Sequence, residues 1–361
     1  MKNVLIFGVS NNPGGIETYI LNMLKVVDIS KIHFDILSVF DNIVYENEFK
    51  NYKCNIYKIN SFLSNPLLHK KQLLEIFKNN KYDAIYMNIM DAGSYWTAKI
   101  SKDHGLKVIL HSHNSDTNRK LLHFLFKKKI NKISNIRLAC SNEAGKFMFG
   151  DSEFTIIPNA IDFNNYYYNE NDRVVVRKKY NIGLNNIVFC HTGRMVEQKN
   201  PIFLINLFKK LYEHNNEYYL IYVGDGVLKD KIYNLVDEID KNLVGFKNHI
   251  IFIGAALKEE IPKYLSASDM FLFPSKYDGF GISLLEAVVN GLRCFSSKFV
   301  SREVDILKNI DYIDLGLDLW FEEINNKIYI KYDRVFKIDN SQYDIDSDKY
   351  VDLVNDIFEI L

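Results

Sequence analysis

The feature that most constrains this chain is an alternation that runs through it twice. Short, continuously apolar segments at 4–9, 34–39, 84–88, 107–111 and 137–140 end in glycine or polar residues. Between them lie segments apolar at helical spacing, such as Ile16, Tyr19, Ile20, Met23, Leu24 and Val27 within 16–27. Further helices are expected at 66–79, 95–103 and 142–149. A strand that is apolar on both faces is buried on both, as in a parallel sheet covered by helices. Strand, helix and strand in succession predict a doubly wound α/β sheet. The pattern lapses across 159–186, a stretch rich in Asn, Tyr and charge that reads as a linker with at most one short helix. It then resumes, with strands at 187–191, 218–223, 250–253 and 270–273 and helices at 201–214, 228–238, 261–266 and 283–290. The tail 350–361 is apolar at i, i+3 and i+4 and reads as a closing helix. The expectation is two α/β domains, 1–165 and 166–349, with the tail helix packing back on the first.

Composition agrees with two cores. The chain has 361 residues, of which 47% are hydrophobic and 25% charged, enough for two ordinary domains. Basic and acidic residues cancel, 45 against 45, which argues against a protein that coats nucleic acid. The balance hides an asymmetry: residues 1–150 carry 21 Lys and Arg against 12 Asp and Glu, a net of +9, and the remainder carries −9. Opposite signs suggest halves with different partners. Cys54, Cys140, Cys190 and Cys294 form no metal-type pair and no disulfide framework. They are expected reduced and buried, as in the cytosol. No run suits a signal-peptide core or a membrane helix, so a cytoplasmic protein is expected.

Three motifs fall where such sheets bind ligands. Asn12-Pro13-Gly14-Gly15 joins the first strand to the first helix, and paired glycines let backbone N–H groups approach an anion. A tight turn fits the same residues, and neither GxGxxG nor a Walker A loop is present. His191-Thr192-Gly193-Arg194 follows the first strand of the second series, with Glu197-Gln198-Lys199-Asn200-Pro201 behind it. Arg194 and Lys199 together suit a diphosphate at the mouth of a sheet; an exposed basic loop is the alternative. Pro274 to Ala287 combines a strand end, a glycine-rich turn (Gly279, Gly281) and a helix start near Ile282, whose free N–H groups can hold phosphate oxygens. Asp278 lies in that turn. Glu286 sits within the apolar run 282–289 and needs a partner if buried.

Two further features are open. His111-Ser112-His113-Asn114 ends a strand of the first domain, and no nearby carboxylate or cysteine completes a metal site. A histidine that hydrogen-bonds a substrate is the better reading. Arg119, Lys120, Lys127, Lys128, Lys129, Lys132 and Arg137 form an acid-free run interleaved with Leu121, Leu122, Phe124, Leu125 and Phe126. A solvated helix with one core face fits, and so does a helix on an anionic membrane surface.

In order along the chain, Gly14-Gly15-Ile16-Glu17-Thr18, His111-Ser112-His113-Asn114, Ile157-Pro158-Asn159-Ala160-Ile161-Asp162, Gly193-Arg194 with Lys199-Asn200, Val223-Gly224-Asp225-Gly226, and Pro274-Ser275 with Gly279-Phe280 and Leu285-Glu286-Ala287 form a recognisable set. The chain resembles the retaining glycosyltransferases of family four, and most closely the branch that builds bacterial capsular and exopolysaccharides. The resemblance covers about residues 1–300. It implies the GT-B fold, two Rossmann-like domains facing across a cleft.

By that resemblance, Arg194 and Lys199 bind the donor diphosphate and Glu286 accepts hydrogen bonds from the donor ribose. Asp278 stands where the family has a glutamate that contacts the donor sugar, one methylene shorter here. His113 reaches the transferred sugar. Gly14, Gly15, Gly193, Gly279, Phe280, Gly281 and Ile282 border sugar and phosphate, and Phe252, Ile253 and Leu257 lie near the base. The implied donor is a UDP-sugar, used without a metal or other cofactor. The acceptor is a growing, lipid-linked glycan, and no nucleic acid is involved. Contact with the inner face of the plasma membrane is expected through Arg119, Lys120, Lys127, Lys128, Lys129 and Lys132. The alternatives are a sugar-nucleotide epimerase of the same fold and a catalytically weak partner subunit.

Overall fold

A computed structural model describes residues 1–11, 14–330, 334, 336–339 and 341–359. Asn12 and Pro13 of the first motif, and 360–361 at the end of the tail helix, lie outside the described residues. The chain divides into two compact units, Met1–Ile161 with Asp339–Leu361, and Asp162–Ile338.

The first unit runs β1 (Lys2–Phe7), α1 (Gly15–Val26), β2 (Ile32–Ser38), α2 (Glu46–Asn51), β3 (Ile56–Lys58), α3 (Pro66–Asn79), β4 (Ala84–Ile89), α4 (Tyr95–Asp103), β5 (Lys107–Ser112), α5 (Lys120–Ile133), β6 (Ile136–Ala139), α6 (Asn142–Phe149) and β7 (Thr155–Ile156). Its sheet has the order β3-β2-β1-β4-β5-β6-β7, and all its neighbours pair in parallel. All six residues of β4 are buried, as a central strand covered on both faces requires.

The second unit runs α7 (Glu170–Lys179), β8 (Val188–Thr192), α8 (Pro201–His214), β9 (Tyr219–Val223), α9 (Lys229–Asn242), β10 (Ile250–Gly254), α10 (Ile261–Ala267), β11 (Met270–Phe273), α11 (Ile282–Val289), β12 (Arg293–Ser297), β13 (Ile310–Ile313) and α12 (Leu317–Lys327). Its sheet has the order β10-β9-β8-β11-β12-β13, again parallel throughout. Helix α13 (Asp348–Glu359) returns to the first unit. Tyr350, Val354, Ile357 and Phe358 of α13 join its core, and the Phe358 ring meets Phe34 edge-on at 5.2 Å.

Both sheets change direction in the same way. In the first, the chain moves outward from β1 to β3, then crosses to β4 beside β1. In the second, it moves outward from β8 to β10, then crosses to β11 beside β8. The crevice beyond the strands' carboxyl ends at such a switch is where open α/β sheets bind ligands. The loops after β1 and β4 in the first unit, and after β8 and β11 in the second, therefore mark the two candidate sites.

The helices expected at 66–79, 95–103, 142–149 and 201–214 and the strand at 270–273 have those bounds in the structure. Both boundaries shift: residues 162–165, expected in the first domain, belong with the second unit. Residues 339–349, expected in the second domain, belong with the first unit. The reason is local pairing: Ile161 N–H donates to the Tyr343 carbonyl at 2.9 Å, Ile345 N–H donates back to the Ile161 carbonyl at 3.1 Å, and Ile345 is buried in the first core. All four cysteines are free and buried. Among the described residues no helix is long and apolar enough to cross a membrane.

Candidate active site

The second unit gathers most of the expected residues. The loop after β8 is held flat against the loop after β9: Gly193 N–H donates to the Val223 carbonyl, and Met195 N–H to that of Asp225, both at 2.9 Å. This close approach explains the Val-Gly-Asp-Gly sequence. A Cβ on Gly224, where φ is +145°, would stand 2.0 Å from the Gly193 carbonyl oxygen, and one on Gly226 would stand 2.6 Å from that of Met195. Arg194 is thereby presented outward, exposed, with no ion-pair partner among the described residues.

Lys199 ends a short 3-10 turn (Glu197–Lys199) and precedes α8, whose first residue is Pro201. Its ammonium pairs with the Asp278 Oδ2 and sits 4.5 Å from the centre of the Phe273 ring. The turn is sewn to the third motif by its backbone, since Lys276 N–H donates to the Gln198 carbonyl at 2.8 Å. Asp278 spends its other oxygen on the loop itself: Oδ1 accepts from the N–H groups of Phe280 (3.2 Å) and Gly281 (2.9 Å). Both carboxylate oxygens of Asp278 are therefore engaged within the protein.

Gly281 begins α11 in the left-handed region (φ +81°, ψ +59°) with no side-chain cap. The first N–H groups of the helix, those of Ile282 and Ser283, have no intrahelical acceptor and add the positive end of the helix dipole. Glu286 lies one turn on and is 8% exposed. Its Oε1 accepts from the Tyr166 hydroxyl at 2.8 Å. Burial pushes its carboxyl up to about 7, while Tyr166, Lys258 and Lys199 pull the other way. Burial dominates because the low-dielectric site penalises the charged form. Beside this cluster, His191 donates or accepts through Nδ1 with the Leu272 carbonyl at 2.8 Å. Its Nε2, the Thr192 Oγ1 and the Ser275 Oγ are buried without a hydrogen-bond partner among the described residues.

Phe252, Ile253 and Leu257 are not part of this cluster. They lie on and after β10, two strands from β8. The Phe252 ring is stacked on Tyr233 at 4.5 Å, and Leu257 is exposed.

The first unit builds a second, smaller cluster. His113 follows β5; its N–H donates to the Ile89 carbonyl at 3.0 Å, and its Nε2 meets Asn88 Oδ1 at 2.9 Å. The His111 ring packs against it with centroids 4.1 Å apart, and Tyr19 of α1 packs on both. Burial lowers His113 to about 3, with Asn159 opposing the shift, so the ring is neutral at physiological pH. Gly14 caps α1 in extended geometry, and Glu17 Oε1 accepts from Ser10 N–H (2.9 Å) and Ser10 Oγ–H (2.7 Å). Among the described residues neither cluster gathers three metal-ligating side chains.

Sequence reading missed Tyr166, which lay in the stretch taken for a linker, and the partner Asn88; Glu17 stood in the Gly14–Thr18 motif without a role. Nothing in a single sequence points to Tyr166 beyond its place just after Asn159-Ala160-Ile161-Asp162.

The family model for "Glycosyl transferases group 1" matches residues 172–311, a span that contains Arg194, Lys199, Asp278 and Glu286. A Bacillus subtilis protein named as the glycosyltransferase EpsF is 28% identical over 319 residues, covering 84% of this chain and 81% of its own. An Escherichia coli UDP-Gal:alpha-D-GlcNAc-diphosphoundecaprenol alpha-1,3-galactosyltransferase is 26% identical over 283 residues, covering 74% of this chain and 70% of its own. Among solved structures, Anabaena HepE in complex with UDP and glucose superposes with a TM-score of 0.77 at 17% identity, covering 100% of this chain and 99% of that one. The fold is GT-B. Residues 172–311 thus match the group 1 glycosyltransferase model, and the chain is similar over most of its length to glycosyltransferases of bacterial polysaccharide biosynthesis.

Proposed function

We propose that the protein is a retaining, metal-independent transferase that moves a sugar from a UDP-sugar to a lipid-linked glycan during assembly of a bacterial capsular or exopolysaccharide. The observation that carries this is the cluster at the switch point of the second sheet. There Arg194, Lys199 and the start of α11 offer positive potential beside the buried carboxyl of Glu286. A nucleoside diphosphate presents the matching groups, an anionic diphosphate and a ribose diol. The names of relatives support the donor and acceptor classes: the Anabaena structure holds UDP and glucose, and the E. coli relative is named for a UDP-sugar and an undecaprenyl diphosphate acceptor.

Charge develops on the departing diphosphate as the glycosidic bond breaks. Arg194, Lys199 and the N-terminus of α11 stabilise it. The acceptor hydroxyl attacks from the side the diphosphate leaves, which gives retention, and a donor phosphate oxygen takes its proton. Asp278 acts on Lys199 and the loop, holding the ammonium in place. Glu286 orients the ribose, and neutral His113 serves the transferred sugar. Contact with the membrane that carries the acceptor runs through α5.

The test is a screen of nucleotide sugars that monitors released diphosphate, with a membrane lipid extract supplying acceptor. Wild-type protein releases UDP only when acceptor is present. Arg194→Ala combined with Lys199→Ala is expected to abolish release while leaving the circular dichroism unchanged. Near-normal turnover in that variant would sink the assignment.

A further inference from the structure

Tyr166 lies outside every motif that the family resemblance brought forward, yet it is docked on α11 at two points. Its hydroxyl donates to Glu286 Oε1 at 2.8 Å. Its carbonyl accepts from Asn290 Nδ2, also at 2.8 Å, and Asn290 lies one turn beyond Glu286 at the end of the same helix. Asn290 is itself fixed, donating to Ser266 Oγ at 3.2 Å and accepting from Arg334. Tyr166 follows a short 3-10 turn (Phe163–Asn165) and is 1% exposed. The ring thus has no freedom to leave, and its hydroxyl faces a carboxyl that burial disfavours as an anion.

We infer that Tyr166 is a positioning residue for sugar transfer: its hydroxyl holds the Glu286 carboxylate in the orientation and charge state that receives the donor ribose. The inference rests on the donor reading of Glu286 proposed above. Three groups face that carboxyl. Tyr166 approaches from the 3-10 turn, Lys258 from the segment before α10, and Lys199 from the turn before α8. The two ammonium groups act through space, and Lys199 is shared with Asp278. Tyr166 is the direct hydrogen-bond donor. A hydrogen bond to the charged form favours that form, so removing it moves the carboxyl toward protonation. A protonated Glu286 still accepts a hydrogen bond, but without the charge that makes the bond to a ribose hydroxyl a strong one.

The experiment is titration of UDP into the full-length protein across about pH 5.5 to 9. UDP's own ionisation is common to all variants and cancels in the comparison. In the wild type, affinity falls on the acid side as Glu286 takes up a proton. His113 and His191, lowered by burial to about 3 and about 4, stay neutral over this range and add no limb. Tyr166→Phe keeps the ring and its packing. It is expected to move the acid limb up by roughly one pH unit, a tenfold change in the proton equilibrium. Binding is then weakened about fivefold at pH 7 and close to tenfold at the acid end, and recovers toward the wild-type value at the alkaline end. A purely structural role would weaken binding equally at every pH. Glu286→Gln is expected to bind weakly with no such limb.

If Tyr166→Phe keeps the wild-type limb while Glu286→Gln loses it, the inference falls and the donor reading stands. If Glu286→Gln binds UDP as the wild type does, or if the wild type does not bind UDP, the donor reading falls and takes the inference with it.

Discussion

At the residue scale, several family-like positions have a mechanical rather than a chemical reason. Gly224 touches no ligand in the proposed scheme. It is glycine because any side chain would run into the Gly193 carbonyl, 2.0 Å from the Cβ position. That contact lays the Arg194 loop against the loop after β9. Gly281 is different: its φ of +81° disfavours a side chain, yet the nearest atoms to a Cβ there are at 3.3 Å and 3.4 Å. The two alanine substitutions should therefore rank. Gly281→Ala costs about 1–2 kcal/mol, the strain of a left-handed non-glycine residue. Gly224→Ala adds a backbone clash that cannot relax without moving the Arg194 loop, for a total of about 2–4 kcal/mol. Urea denaturation followed by the fluorescence of Trp320 reads this in the second unit, where Trp320 is fully buried and donates to the Asp314 carbonyl at 3.0 Å. Equal losses for the two variants would refute the steric argument. Asp278 carries a related lesson. Its residue type was legible as a shortened version of the family's glutamate, but its engagement with Lys199 and two backbone N–H groups was not, because those partners are set by the path of the loop.

At the element scale, continuous apolar runs made β4, β5, β8 and β11 legible, and helical spacing did the same for α1, α3 and α8. The elements that escaped, α2, β3, β7, β12, β13 and α12, are for the most part short or charged. β3 and β7 (Ile56–Lys58 and Thr155–Ile156) are edge pieces with too few residues to show a period. Helix α7 takes the place of the one short helix allowed within the linker, but its bounds did not show, because 170–179 is dominated by charge and hydropathy does not register a buried arginine. Its end signals were present. Asn169 Oδ1 caps the N–H groups of Asn171 and Asp172, acids sit in the first turn and Arg177, Lys178 and Lys179 in the last. The core of this helix is Arg177, fully buried. It donates to the carbonyls of Ala267 (2.8 Å), Gly183 (2.9 Å), Leu184 (3.1 Å) and Asn186 (2.8 Å). It also pairs with Asp269 Oδ2 at 2.7 Å, tying α7 to the end of α10 and the entry to β8. Arg177→Met should destabilise the second unit by about 3–5 kcal/mol, since it strands a charge and several carbonyls. Arg173→Met removes the outer partner of Asp269, at 2.8 Å, and two long hydrogen bonds to the carbonyls of Ala267 (3.4 Å) and Ser268 (3.3 Å), and should cost clearly less. Denaturation midpoints of the two variants check this, and comparable losses would show that α7 is held by its charge rather than by the buried fork.

At the scale of the whole molecule, the sequence divided its charge between a basic first half and an acidic remainder, and the structure shows which cations are free to act. Arg119 pairs with Asp91 at 3.6 Å and Lys120 with Asp116 at 3.9 Å. Lys127 lies over the Phe147 ring at 5.9 Å, and burial lowers its pKa. Lys128, Lys129 and Lys132 are exposed and have no acidic partner among the described residues, Lys129 lying over the Phe126 ring at 5.3 Å. On the same helix, Leu121 is 72% exposed, Phe124 78% and Leu125 53%, while His123 and Ile130 face inward. So α5 is neither wholly solvated nor apolar on its core side alone. It shows solvent a stripe of large apolar groups flanked by lysines, the pattern of a helix that lies in an anionic membrane interface. Each lysine near such a surface contributes about 1 kcal/mol. Replacing Lys128, Lys129 and Lys132 by glutamate should therefore weaken binding to phosphatidylglycerol-containing vesicles by at least about a hundredfold. Replacing Leu121, Phe124 and Leu125 by serine should leave a weaker, purely electrostatic association that vanishes in about 1 M salt, where the screening length falls to about 3 Å. Vesicle co-sedimentation measures both. Both variants should keep UDP binding, because the residues that serve it belong to the second unit. Transfer to a lipid-linked acceptor should fall in step with vesicle binding. If both variants sediment with vesicles as the wild type does, α5 is not the membrane contact, and the charge asymmetry of the chain needs another partner.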